Sequence, residues 1–186
     1  MGQLIPQRPV LTLIAIFSRY PEALQWARDT GESQWGPIAL ASDEFVFDQT
    51  SYYERDMGSN LFKQMVAFEQ LRDPAELADW KIASNQWEEQ YRATGDFEEA
   101  RPLNIDPGYV TEAKLVLAST KDRDHRIYLR DGIFAEGTLY FHRGKWSDRS
   151  WTYPDFATQH YKAFLTECRD YLRQRYRQEL AADGDV

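Results

Sequence analysis

The chain has 186 residues, 42% apolar and 28% charged, the size and balance of one soluble domain with its own core. That length buries roughly 70% of the unfolded surface without help from disulfides or metal. A net charge of −8 argues against a general nucleic-acid binder, because affinity for phosphate backbones rests on clustered Lys and Arg.

Residues 10–17, VLTLIAIF, form a near-continuous apolar run that predicts a strand buried on both faces. Pro21 opens a helix carrying Leu24, Trp26, Ala27 and Trp35 and ending near Gly36-Pro37. IALASDEFVF (38–47) reads as a second strand and DQTSYYERDMG (48–58) as a long polar, aromatic hairpin loop. LFKQMVAFEQL (61–71) fits strand alternation and helical spacing each in part; the loop before it favours a strand. Asp73, Pro74 and Glu76 make an N-cap, a first-position proline and a capping box. The helix they open is expected to run to about Thr94-Gly95, with Leu77, Trp80, Ser84, Trp87 and Tyr91 on one face and Lys81 and Asn85 beside it.

RPLNID (101–106) is expected as a short strand ended by Pro107-Gly108. Thr111 can cap a short helix through Ala118, although KLVLA (114–118) also suits a strand. Asp131-Gly132 between apolar runs is a two-residue hairpin signal. The second strand of that hairpin runs to about Phe141, turns at Arg143-Gly144, and gives way to a loop, SDRSWTYPDF (147–156). Tyr161, Phe164, Leu165, Cys168, Tyr171, Leu172, Tyr176 and Leu180 trace one face of a last helix, with Arg169, Arg173 and Arg177 opposite. Residues 1–182 thus read as a single α+β domain and 183–186 as a frayed tail. The order strand–helix–strand–strand–helix–strand is the ferredoxin-like split βαβ pattern, here extended by a β-hairpin and a C-terminal helix.

Several chemistries lack their motifs. There is no P-loop, no dinucleotide glycine fingerprint, no nucleophile elbow and no zincin pair. One cysteine and three histidines are too few for structural zinc. An oxygen-rich Mg²⁺ site is left open, with Asp48, Asp106 and Glu136 as its possible ligands. The lone Cys168 excludes an intrachain disulfide, and VLTLIAIF is too short for a bilayer span. A cytoplasmic protein is expected, with no membrane or duplex nucleic acid among its partners.

The segment STKDRDHRIYLRDGIFAEG (119–137) asks for chemistry most directly. Residues 119–149 hold seven Lys/Arg against five Asp/Glu, a +2 patch on a chain otherwise at −10, which suits a small anion. Counting back from an Asp131-Gly132 turn pairs Arg130 with Ile133, Ile127 with Glu136 and His125 with Thr138. That register sets His125 beside Glu136 on one sheet face and turns Arg126 to the other. The pair is either structural or an acid/base couple. NIDPGY (104–109) places Asn104 and Asp106 at a strand end, as a turn or as ligand contacts. Lys121 is a further anion contact or a solvated charge. The aromatic content, 15%, serves packing or the walls of a cleft.

WGPI (35–38), TSYYERDMG (50–58), FEQLRDPAELADWKIASNQWE (68–88), the stretch from Asn104 to Leu139 and WTYPDF (151–156) together resemble the family called domain of unknown function 4416. Small departures fall at Ser84, Ile105, Phe134, Gly137 and Phe156, and none removes a titratable group. The resemblance implies a stand-alone cytosolic protein without an established activity. It also implies recurrent polar positions at Thr50, Tyr52, Tyr53, Lys81, Asn85, Asn104, Asp106, Tyr109, Lys114, Lys121, His125, Arg126, Tyr128, Glu136, Tyr153 and Asp155. The expectation is a small anionic ligand, a nucleotide or phosphorylated metabolite. Catalysis would fall to His125, Glu136 and Asp106. Binding would fall to Lys121, Arg126, Asn104, Tyr109, Tyr52, Tyr53, Lys81, Asn85 and Tyr153. The alternative is a non-catalytic interaction module with aromatic loops, or a homo-oligomer.

Overall fold

The computed structural model describes residues 2–3, 7–47 and 54–183. In chain order the elements are β1 (Val10–Ser18), α1 (Pro21–Trp35), β2 (Ile38–Ala41), β3 (Phe45–Phe47), α2 (Glu54–Met57) and β4 (Leu61–Arg72). A single 3₁₀ turn (Pro74–Glu76) leads into α3 (Leu77–Arg92). Then come β5 (Asn104–Val110), β6 (Lys114–Ser119), β7 (Ile127–Arg130), β8 (Ile133–His142), β9 (Lys145–Asp148) and α4 (Gln159–Asp183).

The strands form one sheet in the order β2-β4-β1-β5-β6-β8-β7, with β3 also on β4 and β9 also on β8. Every pairing among the described residues is antiparallel. β1 lies inside the sheet and is buried along its whole length, as its unbroken apolar run requires. Its alternate side chains feed two cores. Ile14 and Ile16 join Leu24, Phe68, Trp80 and Trp87 under α1 and α3. Leu11, Leu13 and Ala15 join Met65, Leu117, Tyr161, Leu165 and Leu172 under α4. The sheet is thus covered by helices on both faces.

Local signals explain the element ends. Asp73 Oδ1 accepts the Ala75 N–H at 2.9 Å, the expected N-cap. Glu76 does not close a capping box and accepts instead from Trp80 Nε1 at 3.2 Å. Asp131 and Gly132 take φ values of 52° and 74°, and Arg143 and Gly144 take 49° and 81°, so both hairpins turn through the left-handed region that matches strand twist.

Five expectations change. The single strand over 38–47 is two, broken at 42–44, where Ser42 Oγ accepts the Met65 N–H. Residues 54–57, inside the expected loop over 48–58, form the short helix α2; of the two readings of 114–118, helix and strand, the strand holds, because the leucine–valine run fills both cores. Residues 145–148 form a short strand instead of loop. Leu180 is exposed at 65%, since α4 outruns the sheet. Finally, Pro107-Gly108 does not end a strand; β5 runs through both. A Cβ on Gly108 would lie 2.3 Å from the Val116 carbonyl oxygen, so β6 occupies the space where any other residue keeps its side chain.

That last contact generates a test. Gly108→Ala is expected to destabilise the fold by about 1–3 kcal/mol through overpacking, whereas Gly137→Ala, with nothing within 4 Å of its Cβ, should stay within about 0.5 kcal/mol. Thermal unfolding of the two variants side by side decides it; equal melting temperatures would mean that β5 and β6 can separate freely there.

Candidate functional site

The site begins with an interrupted ladder. β5 pairs with β1 from Asn104 to Val110, but with β6 only from Gly108 to Val110. Pro107 has no N–H to offer the next rung, and beyond Gly108 the two strands part. The backbone groups of Ile105 on that edge are met by α3 instead. Ile105 N–H donates to Glu88 Oε1 at 2.8 Å, and its carbonyl accepts from Lys81 Nζ at 2.8 Å and Ser84 Oγ at 3.4 Å. Lys81, Ser84 and Glu88 share one helix face at steps of three and four.

Buried charges need partners, and the network grows from that need. Lys81 Nζ also reaches Asp106 Oδ1 at 3.1 Å and lies 3.9 Å from Glu88 Oε1. Arg101 donates to Glu88 Oε2 through Nε at 3.0 Å and Nη2 at 2.7 Å. Asn104, two residues before Asp106 on the same strand face, donates to Asp106 Oδ2 at 2.9 Å. Burial pushes the Asp106 carboxyl up, but Lys81, Arg101, Lys63 and the Asn104 amide outweigh it and hold the group below its ordinary value. For Glu88 burial prevails over Lys81 and Arg101, and the carboxyl sits above its ordinary value.

From β4, Lys63 projects into the α4 face, where Asp155 meets it at 2.6 Å; both side chains are nearly inaccessible. The ammonium lies 4.4–5.3 Å from the ring centres of Phe17, Phe47, Phe156 and Tyr161, a cage of cation–π contacts. Burial and the adjacent Asp155 carboxylate push the Tyr161 phenol well up.

The hairpin register departs from the simple count. Arg130 pairs with Ile133, but Tyr128 pairs with Phe134 and Ile127 with Ala135, with a bulge at Leu129. The extra residue slips β7 by one, so Ile127 does not face Glu136 and His125 does not face Thr138. Arg126 comes over instead, with Nε 2.8 Å from Glu136 Oε2. His125, which precedes the strand, still reaches the same oxygen through Nε2 at 3.3 Å. Its ring stacks on Trp151 at 5.0 Å and 11°. Thr138 Oγ1 donates to Glu136 Oε1 at 3.2 Å. The expected separation of His125 from Arg126 is therefore overturned: both converge on Glu136. Arg126 Nη1 further donates to Ser119 Oγ at 2.7 Å and the Lys121 carbonyl at 2.9 Å.

Members of all three clusters line one partly enclosed cavity of about 90 Å³. Of the residues expected from the sequence, Lys81, Asn85, Asn104, Asp106, Lys121, Arg126, Glu136 and Tyr153 all line it. His125 adjoins it through Glu136. Tyr109 does not belong: it points to the other sheet face and packs against Trp80, because successive strand residues alternate. Tyr52, Tyr53, Thr50 and Asp48 lie outside the described residues. Among the described residues no group of three or more His, Cys, Asp or Glu could hold a metal ion.

Lys63, Arg101, Ser119, Thr120 and Phe156 also line the cavity and were not expected. Lys63 carried a readable signal, since it stands in phase with Leu61, Met65 and Ala67 on a buried strand face. Asp155, a polar position of the resemblance, joins them.

The electrostatics give two tests. Lys63→Met leaves Asp155 buried without its partner and should cost about 3–5 kcal/mol in urea unfolding; a cost below about 1 kcal/mol would show the pair to be replaceable. Asp106, held below the ordinary aspartate value of 3.8, contributes stability that is complete above that value and is lost as pH falls through the lower one. Unfolding followed from neutral pH to about pH 2 should thus show a steeper acid loss for the unmodified chain than for Asp106→Asn. Parallel curves would mean that Asp106 is not held charged.

No curated protein and no solved structure matches the chain. A family model matches residues 8–171, a span that takes in every cavity-lining residue. On that match the chain belongs to the family described as Domain of unknown function (DUF4416).

Proposed function

We propose that the chain binds a small oxyanion, a phosphate group above all, in the opening between β5 and β6. One observation carries this reading. Lys63, Lys81, Arg101, Lys121 and Arg126 line the cavity against Asp106, Glu136 and Asp155, and with Glu88, bonded to Arg101 behind the lining, the network keeps a formal +1 in a chain of −8. A cation excess inside a partly closed, low-dielectric recess focuses field on a small anion. Fixed side chains in a packed network also need little reordering to bind. Size supports the phosphorylated-metabolite half of the expectation over the nucleotide half. At about 30 Å³ of liquid volume per water, about 90 Å³ admits roughly three waters, which matches a phosphate group and little more.

Within this reading His125 and Glu136 are the acid/base candidates, since histidine is the side chain best suited to exchange protons near neutrality. Asp106, surrounded by cations, is the fixed counter-charge. The fold reading goes with it: the order β2-β4-β1-β5 with α1 and α3 on one face supports a ferredoxin-like split βαβ core, extended by the β6–β9 strands and α4. A lone buried Cys168 supports a reducing, cytoplasmic setting, and no helix among the described residues is long and apolar enough to cross a membrane.

A second reading, the interaction module or homo-oligomer, draws on β7. That strand ends the sheet order and exposes Ile127 at 71% and Tyr128 at 58%, and unpaired apolar edges invite a further strand.

A ligand that binds only the folded chain raises its melting temperature with concentration. Phosphate and sulfate are expected to do so, and chloride at matched ionic strength is not. Lys121→Ala, at an exposed position, should weaken the response about fivefold or more without lowering the unliganded melting temperature. No response to any oxyanion would sink the binding reading.

A further inference from the structure

The oxyanion cavity opens onto a second hollow. Asn85 and Thr120 line both the cavity and a shallow groove of about 750 Å³ between α3 and the β7–β8 turn. The groove's floor is Ile82 and Ile133. Its α3 wall is Ile82, Asn85, Gln86, Glu89 and Gln90, positions i, i+3, i+4, i+7 and i+8, which form one helix face. A face that merely packed against the hairpin would be apolar; this one carries three side-chain amides. Among the described residues none of those three amides has a hydrogen-bond partner. By contrast, Gln64 elsewhere on the sheet spends its amide on the Ser42 carbonyl.

The chemistry of the groove narrows what can lie in it. Amides both donate and accept, which suits hydroxyl groups that do the same. Half-buried Ile82, packed above the buried Ile133, offers an apolar contact for the C–H face of a carbon skeleton. Among the described residues no aromatic ring lines the groove, and these residues offer no stacking platform of the kind on which proteins hold nucleobases. Its two charged lining residues are both acidic and each already pairs with an arginine, Glu89 with Arg92 at 3.7 Å and Asp131 with Arg130 at 2.6 Å, so the groove carries no cation excess to draw a second phosphate.

We propose, resting on the oxyanion reading, that the ligand is a singly phosphorylated polyol or sugar. Its phosphate occupies the cationic cavity. Its hydroxyl-bearing body passes Asn85 and Thr120 into the groove and hydrogen-bonds Gln86 and Gln90.

Calorimetric titration of the whole chain tests this with inorganic phosphate, glycerol phosphate, a set of pentose and hexose monophosphates, hexose bisphosphate and adenosine monophosphate. At least one polyol or sugar monophosphate should bind about tenfold or more tightly than inorganic phosphate, as two or three added hydrogen bonds predict. The paired substitution Gln86→Leu and Gln90→Leu, both at exposed positions, should remove that advantage and leave the affinity for inorganic phosphate unchanged. The proposal is overturned, with the oxyanion site intact, by any of three results. These are every sugar phosphate binding no more tightly than phosphate, the paired variant keeping the advantage, and adenosine monophosphate or the bisphosphate matching the best monophosphate. Binding of none of the probes, inorganic phosphate included, overturns both readings.

Discussion

Everything at the site follows from two backbone groups that the sheet leaves unmet. Were β6 to continue along β5, it would bond Ile105 and close the opening. Pro107 and the crowding at Gly108 part the strands, and a buried, unpaired N–H or C=O costs about 1–3 kcal/mol. α3 therefore supplies Glu88, Ser84 and Lys81. Glu88 and Lys81 each bring a charge inward, and an isolated buried charge costs several kcal/mol more than the polar group it satisfies. Asp106 answers Lys81, Asn104 supports Asp106, and Arg101 answers Glu88. The polar network is thus the consequence of opening the sheet, and the same opening supplies the space.

The two cores end where this network begins. On the α1 and α3 side, Ile105 and Ala118 are the last apolar residues before Lys81 and Asn85. On the α4 side, Leu117 and the ring cage around Lys63 border Glu136 and Asp155. The opening is lined by side chains from both faces of one sheet. Their positions are set by packing, so the donors hold fixed orientations, the condition under which dipoles and charges act most strongly.

Local signals made much of the fold legible. The β1 run, the Asp73 cap, the Asp131-Gly132 turn and the α4 stripe each depend on neighbours within a few residues. The register of the β7–β8 hairpin was not legible, because counting from a turn presumes no bulge and nothing in IYLR marks Leu129 as the extra residue. Pro107-Gly108 misled for a related reason. The dipeptide that elsewhere makes a turn here marks a strand whose partner leaves on one side and presses close on the other. Most of the cavity's polar residues were singled out beforehand, yet Lys63 was not, although its phase on β4 showed it. Its partner Asp155 stands 92 residues away, and no local pattern carries such a pairing.

That separation also bears on how the molecule is made. During synthesis the residues before 149 include every strand of the sheet, but not the loop and helix that cover its second face. Until Asp155, Phe156 and Tyr161 emerge, Lys63 has neither its counter-ion nor half of its ring cage. A lysine in the middle of an apolar strand face then favours water over burial, and it holds that end of the sheet open. Non-local closures of this kind come late and slowly. The second core and the recess around Lys63 thus both wait on residues 155–161.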